Sequence, residues 1–437
     1  MNSQIIPRMN APFCSKGLNI PFSIYGGLTF GNDIESFEST KRTFARLFKA
    51  LGNQGNLIEG MQLHDYAQSI GLVKDALVVS SVVSFYGRFG AILEAEHVFA
   101  MDSKPIDVVL WNAMLSVYVK NGEGEKALLL YRQMREEGMH PNAVTFVICL
   151  QACGILTSNV KSENGQKVGK EEKSHKNQCP ISLWALGLGR ALHSDALRIG
   201  FAFDVRIVST LISMYGKCGM VQEAEHVFSI MSPHHHNVVS WNAMLSAYVE
   251  EGRGDKALLL YTRMAKEDGV EPDHLSIVFA LRACGILVAE NKDVVPIKAE
   301  VLVIGRTLHM VAESMGFSEN VFLGTTLVNV YGKCGSIVDA EYAFQALSER
   351  TVVSWNSMLC TYVEHGHVEN ALLLYRQMKE SSYVNEDQHT LMFVIQACSA
   401  LMEREKTLAD EHGYRVKVIS ELGHALHADA RKKTFLL

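Results

Sequence analysis

The 437-residue sequence predicts an all-α fold, an α-solenoid built from a stack of antiparallel helix-turn-helix pairs. Three observations predict it. The chain is self-similar: Trp111–Met134, WNAMLSVYVKNGEGEKALLLYRQM, matches Trp241–Met264, WNAMLSAYVEEGRGDKALLLYTRM, at 17 of 24 positions, and Trp355–Met378 matches the first at 16 of 24. Each block carries apolar residues at helical spacing, while period-two alternation is nowhere sustained, so almost no strand is expected. A lone helix pair cannot bury its apolar face, whereas stacked neighbours can.

The elements follow in chain order. Residues 1–32 hold Arg8 and Lys16 but no acidic residue, and 1–40 read as a disordered leader whose composition fits an organelle transit peptide. Residues 41–437 form a repeat array. The tryptophans are spaced by 130 and then 114 residues, so each large period divides into three units of roughly thirty-odd residues plus insertions. Other blocks keep the same register: Tyr86–Gly90, Tyr215–Gly219 and Tyr331–Gly335; Gln151-Ala-Cys153, Arg282-Ala-Cys284 and Gln396-Ala-Cys398; and Leu-His ending in His64, His193, His309 and His427.

Within a unit, Trp111, Met114, Leu115 and Tyr118 fall at i, i+3, i+4 and i+7, on one helical face. Asn121-Gly122-Glu123-Gly124 ends that helix, and Ala127, Leu130, Tyr131 and Met134 repeat the spacing. Pro141 and Pro272 close two such hairpins. About ten units result: 41–75, 76–107, 108–142, 143–204, 205–237, 238–273, 274–320, 321–351, 352–387 and an incomplete 388–437. Insertions near 157–185, 288–303 and 402–420 are expected as loops. The first, with its lysines, reads as a solvated loop, or functionally as an extra phosphate contact.

Composition narrows the function. Lys+Arg is 41 and Asp+Glu is 47, a formal charge of −6, which excludes a strongly basic chromatin-type binder. No 18-residue apolar run predicts a membrane span. Nine cysteines without a Cys-x-x-Cys pair argue for reduced, mostly buried thiols rather than a zinc ribbon. Cys149 and Cys153, and the run His234-His235-His236, lack the partners a metal site needs, so no metal and no cofactor is expected. The recurring His residues read as packing or hairpin-bonding groups. Trp111, Trp241 and Trp355 read as core rather than base-stacking platforms.

The Val-Val-Ser-Trp-Asn block with a Met-Leu helix, followed by Lys-Ala-Leu-Leu-Leu-Tyr-x-x-Met, resembles pentatricopeptide repeat proteins of the plant type, in the subclass that mixes long and short repeats. The resemblance spans about residues 41–437. It implies a right-handed superhelix that binds single-stranded RNA, about one base per repeat, through the fifth and last residues of each unit. Those pairs are Ser80 with Asp107 (preferring G), Asn112 with Asn142 (C or U), Ser209 with Asn237 (A), Asn242 with Asp273 (U) and Asn356 with Asp387 (U). Thr325 with Thr351 is off-pattern, and Val147, Val278 and Met392 place apolar groups at the fifth position, where no base edge can be read. Without the resemblance, Asn112, Asn242 and Asn356 read as helix caps.

The resemblance further implies a mitochondrial or chloroplast location, a role in organellar RNA processing, editing-site recognition or stabilisation, and a deaminase recruited in trans as partner. No catalysis is expected of the chain itself. His367-Val-Glu369 supplies half of a zinc-deaminase signature, but no Pro-Cys-x-x-Cys follows, and no Walker loop or nucleophile elbow occurs. Two rival readings are a helical-repeat scaffold for proteins, which the acidic charge favours, and a truncated copy without function, suggested by the end at Thr434-Phe-Leu-Leu437.

Overall fold

The computed structural model describes residues 34–100, 107–165, 180–201, 204–231, 236–266, 269–291, 294–381 and 384–407. Among these residues the regular structure is entirely helical. The chain divides into two compact units, Met1–Asn121 and Gly122–Leu437.

The first unit holds α1 (Ile34–Gln54), α2 (Leu57–Ser69), a short 3₁₀ turn (Leu72–Lys74), α3 (Ala76–Arg88), α4 (Ile92–Phe99) and α5 (Val108–Lys120). The second holds α6 (Gly124–Glu136), α7 (Ala143–Gly165), α8 (Pro180–Ile199), α9 (Val205–Lys217), α10 (Val221–Ile230), α11 (Val238–Glu251), α12 (Gly254–Lys266), α13 (His274–Glu290), α14 (Val295–Ser314), α15 (Val321–Cys334), α16 (Ile337–Gln345), α17 (Val352–Glu364), α18 (Val368–Glu380) and α19 (Gln388–Thr407).

Odd-numbered helices are the first helix of a hairpin and even-numbered helices the second. In the first unit α3 packs on α1 and α5. In the second, α7, α9, α11, α13, α15, α17 and α19 each touch the next in that order, and the even helices from α8 to α18 pack against the odd helices that flank them. The result in each unit is an all-α repeat fold of the solenoid type: first helices in a row, backed by second helices.

Sequence periodicity becomes packing through repeated contacts. Phe99 meets Trp111 edge-on at 5.1 Å between ring centroids, Phe228 meets Trp241 at 5.0 Å and Phe344 meets Trp355 at 5.1 Å. All three indoles are buried, which settles their role as core. Tyr118, Tyr248 and Tyr362 donate to Glu96, Glu225 and Glu341 at 2.9, 2.9 and 2.7 Å, tying a first helix to the second helix before it. His64, His193 and His309 share a hydrogen bond with Tyr86, Tyr215 and Tyr331 at 2.9, 3.0 and 3.0 Å, the hairpin-bonding role their recurrence suggested. His427 lies outside the described residues.

First helices approach closely at a glycine. A Cβ built on Gly216 of α9 would stand 2.6 Å from Ala247 Cβ and 3.0 Å from Ala247 Cα on α11; Gly87 and Gly332 make the same approach to Val117 and Thr361. Helices α11 and α15 end at Gly252 (φ 80°) and Gly335 (φ 84°), in the left-handed conformation that a side chain would oppose.

Four boundaries differ from the sequence reading. Helix α1 begins at Ile34, inside the expected leader 1–40, because Thr40, Phe44 and Phe48 recur every four residues and are buried. The insertion at 288–303 is mostly helix rather than loop: it lengthens α13 and α14, and its Val288 and Val301 enter the core. Likewise α7 continues to Gly165, α8 begins at Pro180 and α19 runs to Thr407, so the ends of the 157–185 insertion and the start of the 402–420 insertion are helical. The polar centre of the first and the rest of the last lie outside the described residues.

Candidate nucleic-acid interface

The last residue of each unit is the N-cap of the next unit's first helix. Asp107 accepts from Val109 N at 3.2 Å, capping α5. Asn142 accepts from Thr145 N at 3.0 Å at the start of α7. Asn237 and Asp273 form reciprocal capping boxes with Ser240 and Ser276. Thr351 accepts from Ser354 N at 3.3 Å, and Asp387 accepts from Thr390 N at 2.8 Å. The cap reading raised for Asn112, Asn242 and Asn356 is therefore corrected. These residues lie at the fifth position of α5, α11 and α17, inside the second turn, and the caps of those helices are Asp107, Asn237 and Thr351, the last residues of the preceding repeats.

Two fifth–last pairs meet directly. Asn242 Nδ2 donates to Asp273 Oδ1 at 2.9 Å, and Asn356 Nδ2 donates to Asp387 Oδ1 at 2.9 Å. A third side chain closes each pair into a ring: the hydroxyl of Ser276 donates to Asn242 Oδ1 at 2.7 Å, and that of Thr390 to Asn356 Oδ1 at 2.7 Å. Asn242 and Asn356 are only 8% and 9% exposed, and Ser276 and Thr390 are fully buried. Every bond to the two aspartates falls on Oδ1 and none on Oδ2.

Burial pushes the Asp273 carboxyl up, but bonds from the Ser276 backbone, the Asn242 amide and the Ser276 hydroxyl outweigh it and hold it below its ordinary value. Asp387 behaves alike, through Thr390 and Asn356. Both are carboxylates at neutral pH and can only accept.

In three further pairs the fifth residue bonds its own helix. Ser80 Oγ donates to Leu77 O at 3.1 Å, Ser209 Oγ to Val205 O at 2.7 Å and Thr325 Oγ1 to Val321 O at 2.7 Å. With its proton spent on its own helix, each hydroxyl offers only lone pairs outward. Asn112 and Asn142 belong to different compact units; Asn112 is buried in α5, and Asn142 caps α7.

Two features were missed in the sequence. The first is the hydroxyl three residues after the caps Asn142, Asn237, Asp273, Thr351 and Asp387. Thr145, Ser240, Ser276, Ser354 and Thr390 recur with the period, which was the available signal. The second is an exposed apolar residue at the second position of the first helices: Leu77, Val109, Val144, Val239, Leu275, Phe322 and Val353. Two of them, Phe322 and Val353, line a groove of about 790 Å³ together with Thr325, Thr351, Arg282 and Lys333.

Among the described residues, no group of three or more His, Cys, Asp or Glu could hold a metal ion. His236 instead packs on Phe228 and Trp241, while His234 and His235 lie outside the described residues. His367 is the N-cap of α18. Of the seven described cysteines, all free, Cys149, Cys153, Cys284 and Cys398 are buried. No helix of the described residues is long and apolar enough to cross a membrane.

First helices stacked on one another, with a periodic polar edge, define a helical-repeat protein. Family models agree: that of the PPR repeat family matches residues 106–154 and 236–285, and that of the PPR repeat matches 206–232 and 353–383. A chloroplastic pentatricopeptide repeat-containing protein of Arabidopsis thaliana is 29% identical over 368 residues, covering 84% of this chain and 40% of its own length. A mitochondrial one from the same plant is 27% identical over 389 residues, covering 85% and 38%. The chain thus spans less than half the length of these two relatives. Among solved structures, the pentatricopeptide repeat protein PPR10 in complex with an 18-nt psaJ RNA element is similar at 16% identity and a TM-score of 0.34, covering 90% of this chain and 76% of that one. The chain belongs to the pentatricopeptide repeat family.

Proposed function

We propose that the row of first helices binds single-stranded RNA, one base per unit, and that the fifth and last residues select the base. The observation that carries this is the Asn–Asp pair, built identically at Asn242–Asp273 and Asn356–Asp387. Each pair leaves one Nδ2–H and the carboxylate Oδ2 unspent. Uracil presents an N–H donor beside a carbonyl acceptor, which complements that set; cytosine would turn a lone pair toward the carboxylate.

The same accounting treats the serine units. Ser80 and Asp107 both accept, which suits the adjacent N–H donors of guanine. Ser209 accepts while Asn237, whose Oδ1 is held by Ser240 N at 3.0 Å, donates. Adenine offers the matching amine donor and ring-nitrogen acceptor. Exposed apolar residues such as Val239 and Val353 supply faces on which bases stack. From the amino end as 5′, the target reads G, C or U, any, A, U, any, any, U.

In this reading the chain belongs to the subclass with mixed repeat lengths. It acts in a mitochondrion or chloroplast, in processing, editing-site recognition or stabilisation of RNA, without chemistry of its own and with a deaminase as a partner supplied in trans. Selection from a random single-stranded RNA pool at fixed salt tests it. Enrichment of A-U, with a pyrimidine two bases before the A and a U three bases after the A-U, is the expected result, and Asn242→Ala should relax only the central U. Weak binding equal on all sequences would overturn it. That outcome would favour the protein-scaffold reading, whose support is the exposed Leu259, Val303, Met310 and Leu373 on α12, α14 and α18.

A further inference from the structure

The geometry points to Ser276 and Thr390 as positioning residues that fix which edge of Asn242 and Asn356 is offered to a base. The inference rests on the base-reading function proposed above. A carboxamide can present its oxygen or its amine, and the two ends differ only in hydrogen bonding. Here both ends are anchored. Nδ2 is held by the aspartate at 2.9 Å, and Oδ1 is held by a buried hydroxyl at 2.7 Å.

The hydroxyl itself is polarised in one sense. The backbone N–H of Asp273 donates to Ser276 Oγ at 3.2 Å, and that of Asp387 donates to Thr390 Oγ1 at 3.3 Å. The hydroxyl's single proton is then directed forward. Its alternatives are the amide oxygen at 2.7 Å and the carboxylate oxygen at 3.0 Å (Ser276) or 2.9 Å (Thr390), and the shorter contact in both cases is to the amide. Flipping the amide would replace the acceptor at 2.7 Å by a donor and turn the hydroxyl proton back to the carboxylate. It would also set Oδ1 against a carboxylate oxygen.

A contrast within the same chain supports a specific role. The equivalent hydroxyls after Asn237 and Thr351 turn the other way: Ser240 Oγ donates to Asn237 O at 2.8 Å, and Ser354 Oγ to Thr351 O at 2.8 Å. Those units follow Ser209 and Thr325, where there is no amide to orient. One residue position thus does two things. At Ser240 it completes a helix cap, and at Ser276 and Thr390 it also holds the reading asparagine.

Without the hydroxyl, Oδ1 is a buried acceptor with no donor. Turning it outward relieves that, and the unit then offers an acceptor that suits the amine of cytosine. The test uses the full chain with Thr390→Val, which removes the hydroxyl at nearly constant volume, and Thr390→Ser, which keeps it. Two RNAs carrying the selected sequence, with U or C opposite Asn356, give the ratio of dissociation constants.

Wild type and Thr390→Ser should share one ratio. Thr390→Val should lower it about fivefold, the worth of one hydrogen bond, with the ratio opposite Asn242 unchanged. Ser354→Ala should leave both ratios unaltered. A Thr390→Val protein that keeps the wild-type ratio overturns the inference, as does an equal loss in Ser354→Ala. If wild type itself shows no U preference at either position, it is the base-reading proposal that fails. If circular dichroism shows Thr390→Val unfolded, the pair Ser276→Ala and Ser276→Thr decides the same question at Asn242.

Discussion

Gly216 and Gly187 should respond to alanine with opposite signs, although both sit inside helices. Gly216 of α9 faces α11, and a methyl there would lie 2.6 Å from Ala247 Cβ and 3.0 Å from its Cα. Carbon atoms settle at about 3.5–4.0 Å, so the overlap is roughly 1 Å and part of it is against backbone. Neither partner has a flexible end that can swing away, and the helices must separate. Overpacking of this kind costs about 3 kcal/mol at the upper end of its range. Alanine recovers about 1 kcal/mol in helix propensity. The net loss is about 2 kcal/mol, or about 3 °C in Tm for a unit that runs from Gly122 to Leu437. Gly187 of α8 has nothing within 4 Å of its built Cβ, so only propensity acts, and Gly187→Ala should raise Tm by about 1–2 °C. Thermal melts followed by circular dichroism at 222 nm, on both variants and wild type, decide it. A Gly216→Ala protein as stable as wild type or more so would refute the close-approach argument.

Other predictions follow from single contacts. Burial lowers the pKa of His64, His193 and His309, so their folded forms resist protonation. The unfolded chain takes up protons first, from about pH 6.5, and stability should fall below that and level off once the folded pKa values are passed; urea midpoints between neutral pH and about pH 5 measure it, and Tyr331→Phe should itself lower the midpoint at neutral pH by deleting the bond to His309. Burial pushes the thiol of Cys149 well above its ordinary value and those of Cys153 and Cys284 to about 12, so alkylation at neutral pH should spare these three until the chain unfolds, as peptide mass spectrometry would show. Trp355→Ala should cost about 3–5 kcal/mol, visible as a lower melting temperature, because the indole is buried against Phe344.

Helix type and register were legible because the packing reports on itself periodically. Trp111, Trp241 and Trp355 meet a phenylalanine in the same geometry, so the repeated letter in the sequence corresponds to a repeated contact. Insertions were harder. Their polar letters suggested loops, yet Val288 and Val301 enter the core and α13 and α14 simply grow longer. Helix length is set by whether the added turn finds something to bury, and composition alone does not carry that. The paired residues were legible as positions but not as partners. Asn242 and Asp273 stand 31 residues apart, and only the stacking of α13 beside α11 brings them to 2.9 Å.

Why the same residue should both cap a helix and face the proposed ligand follows from how its two carboxylate oxygens are used. A cap position lies just outside the helix, where Asp273 and Asp387 accept the first backbone N–H with Oδ1 and leave Oδ2 outside the ring. The group is therefore fixed by folding itself: moving it would cost the cap, about 1 kcal/mol, together with the bond to the asparagine. A side chain held this way loses little conformational freedom on binding, and that lost freedom is what weakens flexible recognition groups. The asparagine gains from the same arrangement, since its partner is immobile and its own oxygen is anchored by Ser276 or Thr390. Stacking α13 on α11 and α19 on α17 thus assembles a rigid donor–acceptor set at each of these two seams, from residues that no single repeat could hold in place.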